Sequence, residues 1–140
     1  MRVCSLVVVM TLLGGASLQA ANLLQNGDFE AAAAEAIPGW SLNPEARQQK
    51  VWADATDPHA GRQCLAWRST TATPKAGVLS QEVAVEPGKR YSLTVWLKRD
   101  SFVYGTGVEV QLLKGAEVVN RQEAAFRGVT WSPVCMTFST

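Results

Sequence analysis

Tryptophans are the side chains of this chain best suited to binding, since five occur among 140 residues. Trp96 stands in the run YSLTVWLK (91–98), opposite an apolar row made of Tyr91, Leu93, Val95 and Leu97. Alternation of this kind places Trp96 on the polar face of a strand. A flat ring there can act as a plate for an uncharged, partly apolar ligand. Trp52, in the loop-like stretch KVWADATD (50–57), is a second candidate plate.

The residues of this sequence that could catalyse a reaction are not arranged in a catalytic pattern. Hydrolysis by paired carboxyl groups requires a separation of about 5 to 10 Å and one raised pKa. The neighbouring acids, in residues 54–57 and 82–86, stand in a loop and near a strand end, and neither setting is catalytic. The single histidine, His59, lies in the turn DPHAG and is typical of a surface or structural residue. The sequence contains no nucleophile elbow, phosphate loop or metal-spaced His and Cys cluster, so we expect no enzyme activity from this domain.

The first 20 residues have the organisation of a secretory signal peptide. A charge at Arg2 precedes an apolar stretch over 6–13 and small residues that end at Ala20 and Ala21. The apolar stretch is too short to span a bilayer. We therefore expect a signal over 1–20, cleavage after Ala20 or Ala21, and a secreted domain over 22–140 in an extracellular or periplasmic space.

The charge balance of the mature chain is neutral. Loss of Arg2 leaves 12 basic residues against 12 acidic ones. Such a chain lacks the positive surface that binds nucleic acid or anionic membranes. The expected partner is uncharged, with no nucleic acid and no membrane after signal cleavage.

Two cysteines remain after the leader is removed, in a compartment that favours oxidation. A disulfide between Cys64 and Cys135 would close a loop of about 70 residues and stabilise the fold by about 4 kcal/mol. The alternative is two buried thiols that do not pair, because bridging needs Cα atoms within about 7 Å.

Short alternating runs separated by Gly and Pro turns continue along the mature chain. They cover 63–68, 78–85, 91–98, 108–112 and 131–140. Trp67 shares the apolar face of Leu65, so it is expected in the core. Residues 31–36 predict a loop or one helical turn. No long segment repeats its apolar residues at the 3.6-residue period of a helix. The pattern therefore predicts an antiparallel all-β sandwich in one domain.

Several spaced motifs make the chain resemble the CenC-type carbohydrate-binding modules of families 4 and 9. These motifs are NLLQNGDFE (22–30), PGW (38–40), HAGRQCLAW (59–67), SQEVAVEPGKRYSLTVWLK (80–98) and Trp131 with Thr137-Phe138. The resemblance implies a galactose-binding-like jelly roll with a bend at Asn26-Gly27. Its core would include Leu24, Phe29, Trp40 and Trp131.

The end of the sequence departs from that pattern. Modules of this type usually continue into a last strand that carries an Asp, whereas this sequence stops at Thr140. The resemblance therefore implies a C-terminally truncated jelly roll that lacks an edge or closing strand and exposes the backbone of its neighbour. Either the chain is a fragment of a longer protein, such as a glycoside hydrolase, or a partner strand fills the gap.

The resemblance also implies a structural calcium ion. Glu30 is the first candidate ligand and Asp28 the second, with a further carboxylate from Asp57 in the loop before Arg62. The alternative is that Asp28 and Glu30 only cap turns.

The implied function is noncatalytic binding of a neutral polysaccharide, such as β-glucan or xylan, in or beside a glycoside hydrolase. Sugar rings offer apolar C–H faces to aromatic plates and hydroxyls to polar side chains. The candidate binding residues are Trp96, Trp52, Arg68, Glu109 and Gln111. The polar members could converge with Trp96 on one concave sheet, or could form an ordinary solvated surface.

A second function from another class fits the same fold. A structural or adhesive jelly-roll domain would make protein contacts at a cell surface and bury its aromatic rings. Exposed Trp96 and Trp52 side chains would indicate sugar binding, and buried ones would indicate the structural or adhesive role.

Overall fold

The computed structural model describes residues 6–12, 22–33, 36–43, 49–69, 79–100 and 107–140. All regular structure in these ranges is strand: β1 (Leu6–Leu12), β2 (Ser41–Leu42), β3 (Gln49–Asp54), β4 (Cys64–Ser69), β5 (Leu79–Val85), β6 (Arg90–Leu97), β7 (Gly107–Lys114), β8 (Glu117–Ala125) and β9 (Ser132–Ser139). The predicted all-β sandwich class is confirmed. In the same ranges, no helix is long and apolar enough to cross a membrane.

One layer is a five-stranded sheet in the order β2-β5-β1-β7-β8. Along β5 every second side chain is buried, beginning with Leu79 and ending with Val85. Val108 and Val110 of β7 are buried in the same way. Alternation thus turns one row of each strand toward the core and the other row outward.

The ribbon formed by β6 and β9 supplies the opposite side of the core. The two strands pair antiparallel from Arg90↔Ser139 to Leu97↔Ser132. Their inward side chains, which are Leu93, Leu97, Val134, Met136 and Phe138, join those of the five-stranded sheet in one hydrophobic cluster. The predicted apolar row in 91–97 is therefore confirmed, and the outer faces of the two layers lie on opposite sides of the molecule.

A second antiparallel ribbon consists of β3 and β4, in register from Gln49↔Ser69 to Asp54↔Cys64. Leu65 of β4 belongs to the core cluster. Trp67 is only 3% exposed, which confirms its predicted burial.

The motif that opens the mature chain packs against the PGW motif. Asn26 and Phe29 have positive φ angles of 48° and 59°, so the chain reverses sharply at this point, as predicted. The rings of Phe29 and Trp40 lie 5.3 Å apart, and the Trp40 Nε1 donates a hydrogen bond of 3.2 Å to the Asn26 carbonyl. Leu24, Phe29 and Trp40 are partly buried against the core.

Strand β1 comes from the segment with the features of a signal peptide. It lies between β5 and β7 and runs parallel to both, whereas the other pairings are antiparallel. The resemblance implied that an edge or closing strand is missing. In the structure, residues 6–12 supply a strand inside the five-stranded sheet.

Three further strands, the two-residue β2 together with β3 and β8, were not predicted from the pattern. Residues of β3 over 51–53 are half-buried on both faces, so the strand shows no alternation and was interpreted as a loop. β8 is an edge strand exposed along most of its length, and it therefore has no buried row to mark it. Of the stretch predicted as a loop or one helical turn, residues 34 and 35 lie outside the described ranges. The residues on either side of them, Ala33 and Ala36, bond to each other through their backbones at 2.9 and 3.0 Å.

Candidate functional site

The candidate site is a cleft of about 440 Å³ that opens between β4 and β6. Residues 64–66 of β4 and 94–96 of β6 line its two long sides. The loop between β3 and β4, with His59, and the motif at 27–30 also line it. A cleft of this volume is within the usual range for small-ligand sites.

An aromatic cluster forms one wall of the cleft. The ring of His59 stacks on that of Trp96, with centroids 3.9 Å apart and planes 18° apart. The edge of Trp131 meets His59 at a centroid distance of 5.7 Å. Trp96 nevertheless remains 43% exposed, so the cluster holds an indole in a defined orientation at the surface.

Polar contacts position the loop that carries His59. Asp54 is buried at the end of β3, and its Oδ1 accepts hydrogen bonds from the Thr56 backbone N and hydroxyl at 2.9 and 2.6 Å. Farther along, the Asp57 carboxylate forms an ion pair with Lys98 at the end of β6. The loop is therefore fixed to β3 on one side and to β6 on the other.

Glu30 anchors the second half of the same loop. Its Oε1 accepts hydrogen bonds from the backbone N of Arg62 at 2.7 Å and of Gln63 at 3.2 Å, and its Oε2 pairs with the Arg62 Nε at 3.1 Å. The backbone bond from Arg62, together with its side chain, lowers the pKa of the Glu30 carboxyl below its ordinary value. Gly61 has a positive φ of 71°, and a Cβ atom on it would displace the Glu30 carboxylate from its hydrogen bonds.

The predicted calcium ligands Glu30, Asp28 and Asp57 each have a protein partner in this arrangement. Both Glu30 oxygens face N–H donors, Asp57 faces Lys98, and the Asp28 Oδ1 accepts a bond from the Glu30 backbone N at 3.2 Å. Within the described ranges, no group of three or more His, Cys, Asp or Glu side chains is placed to hold a metal. The geometry instead matches the turn-capping alternative, and calcium binding stays a prediction.

Of the predicted sugar-binding residues, Trp96 lines the cleft. Arg68 lies on β4, two positions beyond Ala66, and Trp52 lies on the neighbouring strand β3. Trp52 pairs with Ala66, which lines the cleft, so it occupies the same face of the ribbon. The cationic groups of Lys50 and Arg68 stand 6.0 and 5.9 Å from the Trp52 ring centroid. This ring is half-buried rather than bare.

Glu109 and Gln111 are not brought together with Trp96. They alternate with buried Val108 and Val110, so they point away from the core on the outer face of the five-stranded sheet. Glu109 pairs there with Arg121 at 2.5 Å and accepts a hydrogen bond from Gln111. The expected convergence is therefore not found, because the core separates this surface from the cleft.

The predicted disulfide between Cys64 and Cys135 is also not found. The Cys64 Sγ lies in the cleft, 3.4 Å from the Asp54 carbonyl. Cys135 is exposed on the outer face of β9, with its Sγ 3.7 Å from the Thr94 hydroxyl. The two thiols thus have different partners on different ribbons.

Sequence reasoning missed two residues of the aromatic wall. Trp131 was expected in the core, but it is half-buried and lines the cleft. His59 was interpreted as a turn residue. The sequence feature that pointed to a binding role for His59 was its position in a short polar loop before a strand, because such loops carry many binding residues.

These features define an antiparallel β-sandwich with an aromatic cleft on one of its layers, which is an arrangement suited to ligand binding. The carbohydrate binding domain family CBM_4_9 has a model that matches residues 21–126, most of the chain. The chain therefore belongs to this family of carbohydrate-binding domains, and such a domain is noncatalytic. Among curated proteins and among solved structures, no significant match was found.

Proposed function

We propose that this protein is a secreted module that binds a neutral polysaccharide, such as β-glucan or xylan, in the cleft beside Trp96. The observation that carries the proposal is the exposed indole of Trp96, held by its stack with His59. An oriented aromatic plate lowers the ordering cost of binding, and its face suits the apolar C–H surface of a pyranose ring.

The charges around the cleft support an uncharged ligand. Asp57 is paired with Lys98, and Glu30 is paired with Arg62, so neither sign dominates. These groups and the exposed Thr94 hydroxyl offer donors and acceptors to a fringe of sugar hydroxyls. A charged sugar would gain little from this balanced surface.

Trp52 and Arg68 extend the proposed surface beyond the cleft. They lie on the same face of the β3–β4 ribbon as Ala66, so a longer oligosaccharide could continue across them. Glu109 and Gln111 would form a separate surface on the opposite layer. The proposed binding site is the cleft, so these two residues serve as the comparison surface.

The biological role follows from binding without catalysis. A secreted module of this kind keeps a glycoside hydrolase, in the same chain or beside it, at high local concentration on its insoluble substrate. The domain itself supplies adhesion to the polysaccharide, and the partner supplies the chemistry.

The test is a titration of intrinsic tryptophan fluorescence with soluble β-glucan, xylan and laminarin, with polygalacturonate as the charged control. We expect a saturable change with at least one neutral polysaccharide and a weaker response to the control. A flat response to every neutral sugar would contradict the proposal and favour an adhesive role.

A further inference from the structure

The five-stranded sheet contains one strand, β1, that lies outside the residues matched by the family model. β1 pairs with β5 from Leu6↔Leu79 to Leu12↔Val85, and with β7 from Leu6↔Val108 to Thr11↔Leu113. β5 and β7 run in the same direction and do not pair with each other. The family match begins at residue 21, so β1 lies outside the part of the chain that defines the module.

The space that β1 fills, called here the β5–β7 slot, crosses the hydrophobic core. Its sides are β5, with buried Leu79, Val83 and Val85, and β7, with buried Val108 and Val110. On its other side β5 pairs only with β2, at two positions. Without an occupant, both strands would leave backbone N–H and C=O groups unpaired beside the core, which is costly.

The dimensions of the slot restrict its occupant. Adjacent strands lie about 4.8 Å apart, so β5 and β7 are separated by about 10 Å between backbones. An α-helix with its side chains is about 10 to 12 Å wide and cannot enter such a space. An extended peptide fits, and it can form ladder hydrogen bonds on both edges at once.

We propose that the β5–β7 slot is a strand-binding site whose ligand is an extended apolar peptide of the Leu6–Leu12 type. In the full chain the site is occupied by β1. When β1 is withdrawn, the slot accepts a segment of the same chemistry from a separate peptide. Signal cleavage after Ala20 or Ala21, which the sequence leads us to expect, would empty the site. The slot itself does not depend on sugar binding.

The experiment weakens β1 in the full chain and then supplies its sequence as a separate peptide. Val9 stands in register with Glu82 of β5 and Gln111 of β7, at a position in the outward row of both neighbours. Val9→Pro removes a backbone N–H from the ladder, whereas the matched control Val9→Thr keeps it and keeps a β-branched side chain. The probe is a peptide with the sequence of residues 6–12 flanked by lysines, and the control peptide carries proline at the Val9 position.

Hydrogen exchange of the β5 and β7 amides is the readout. We expect exchange at least about tenfold faster in Val9→Pro than in Val9→Thr, because an opened ladder exposes its amides. The probe peptide should restore protection, and the proline peptide should not. If the Val9→Pro variant unfolds altogether, the β6 and β9 amides lose their protection from exchange as well. Recovery of that protection on addition of the probe peptide would then support the proposal equally.

Three results would overturn it. One is unchanged protection of β5 and β7 in Val9→Pro, since β1 would then not be a strand of the sheet in solution. Another is failure of the probe to restore protection in an opened or unfolded variant. The last is protection restored by self-association at rising protein concentration without peptide, which would assign the slot to a second copy.

Discussion

Replacement of Trp96 by alanine is the sharpest test of the cleft. The residue is 43% exposed, and its ring stacks on that of His59. A tryptophan can bury up to about 250 Å², so about 100 Å² remains open to a ligand. A sugar ring that covers half of this area buries about 50 Å², which is worth about 1.3 kcal/mol at about 25 cal/mol per Å².

Favourable ring geometry adds about 0.5 to 1.5 kcal/mol, and desolvation of sugar hydroxyls opposes it. We therefore expect Trp96→Ala to weaken polysaccharide binding by about 1 to 3 kcal/mol, a rise in Kd of about 5-fold to 150-fold. Isothermal titration calorimetry with the best ligand from the fluorescence panel measures this directly. The melting temperature should change by only a few degrees, because loss of an exposed ring costs little stability.

Controls distinguish the cleft from other surfaces. His59→Ala should weaken binding less than Trp96→Ala does, since it removes only the group that orients the indole. Gln111→Ala should leave the Kd unchanged, because Gln111 faces outward on the opposite layer. Full affinity in Trp96→Ala, together with lost affinity in Gln111→Ala, would refute the reasoning and move the site to the five-stranded sheet.

Three further predictions concern the structure that supports the cleft. Gly61→Ala should destabilise the fold and reduce sugar affinity. Gly88 is the matched control, because it has the same φ of 71° but no atom lies within 4 Å of a Cβ added to it. Gly88→Ala should therefore lower the free energy of urea unfolding only by the backbone strain of about 1 to 2 kcal/mol. The contribution of Glu30 to stability should be complete above its unfolded pKa of about 4.3 and lost as the pH falls through its lower folded pKa. Glu30→Gln should therefore lose less thermal stability than the parent protein as the pH falls below about 4. An unchanged pH profile in that variant would contradict the assignment. Trp67→Ala should lower the free energy of unfolding by about 3 to 5 kcal/mol, and a loss below about 1 kcal/mol would be inconsistent with its burial at 3% exposure.

The functional residues were only partly accessible from the sequence. Alternation in 91–98 was enough to predict that Trp96 is exposed, because the side-chain period of a strand is two. It could not identify His59 as the neighbour of Trp96, since the contact joins a loop to a strand 37 positions away and depends on where the loop folds back. The same limitation applies to Glu109 and Gln111, whose outward orientation was predictable although their layer was not.

Local patterns in the sequence determined the strands with a buried row, the reversal at Asn26-Gly27 and the burial of Trp67, because each depends on neighbouring residues. Tertiary structure decided which faces meet across the cleft, how Glu30 is used and where the N-terminal apolar segment lies. That segment has the pattern of a signal peptide, and only the facing edges of β5 and β7, which lie far along the sequence, give it a place in the sheet. Long-range pairing of this kind depends on geometry between distant strands, which residue spacing does not encode.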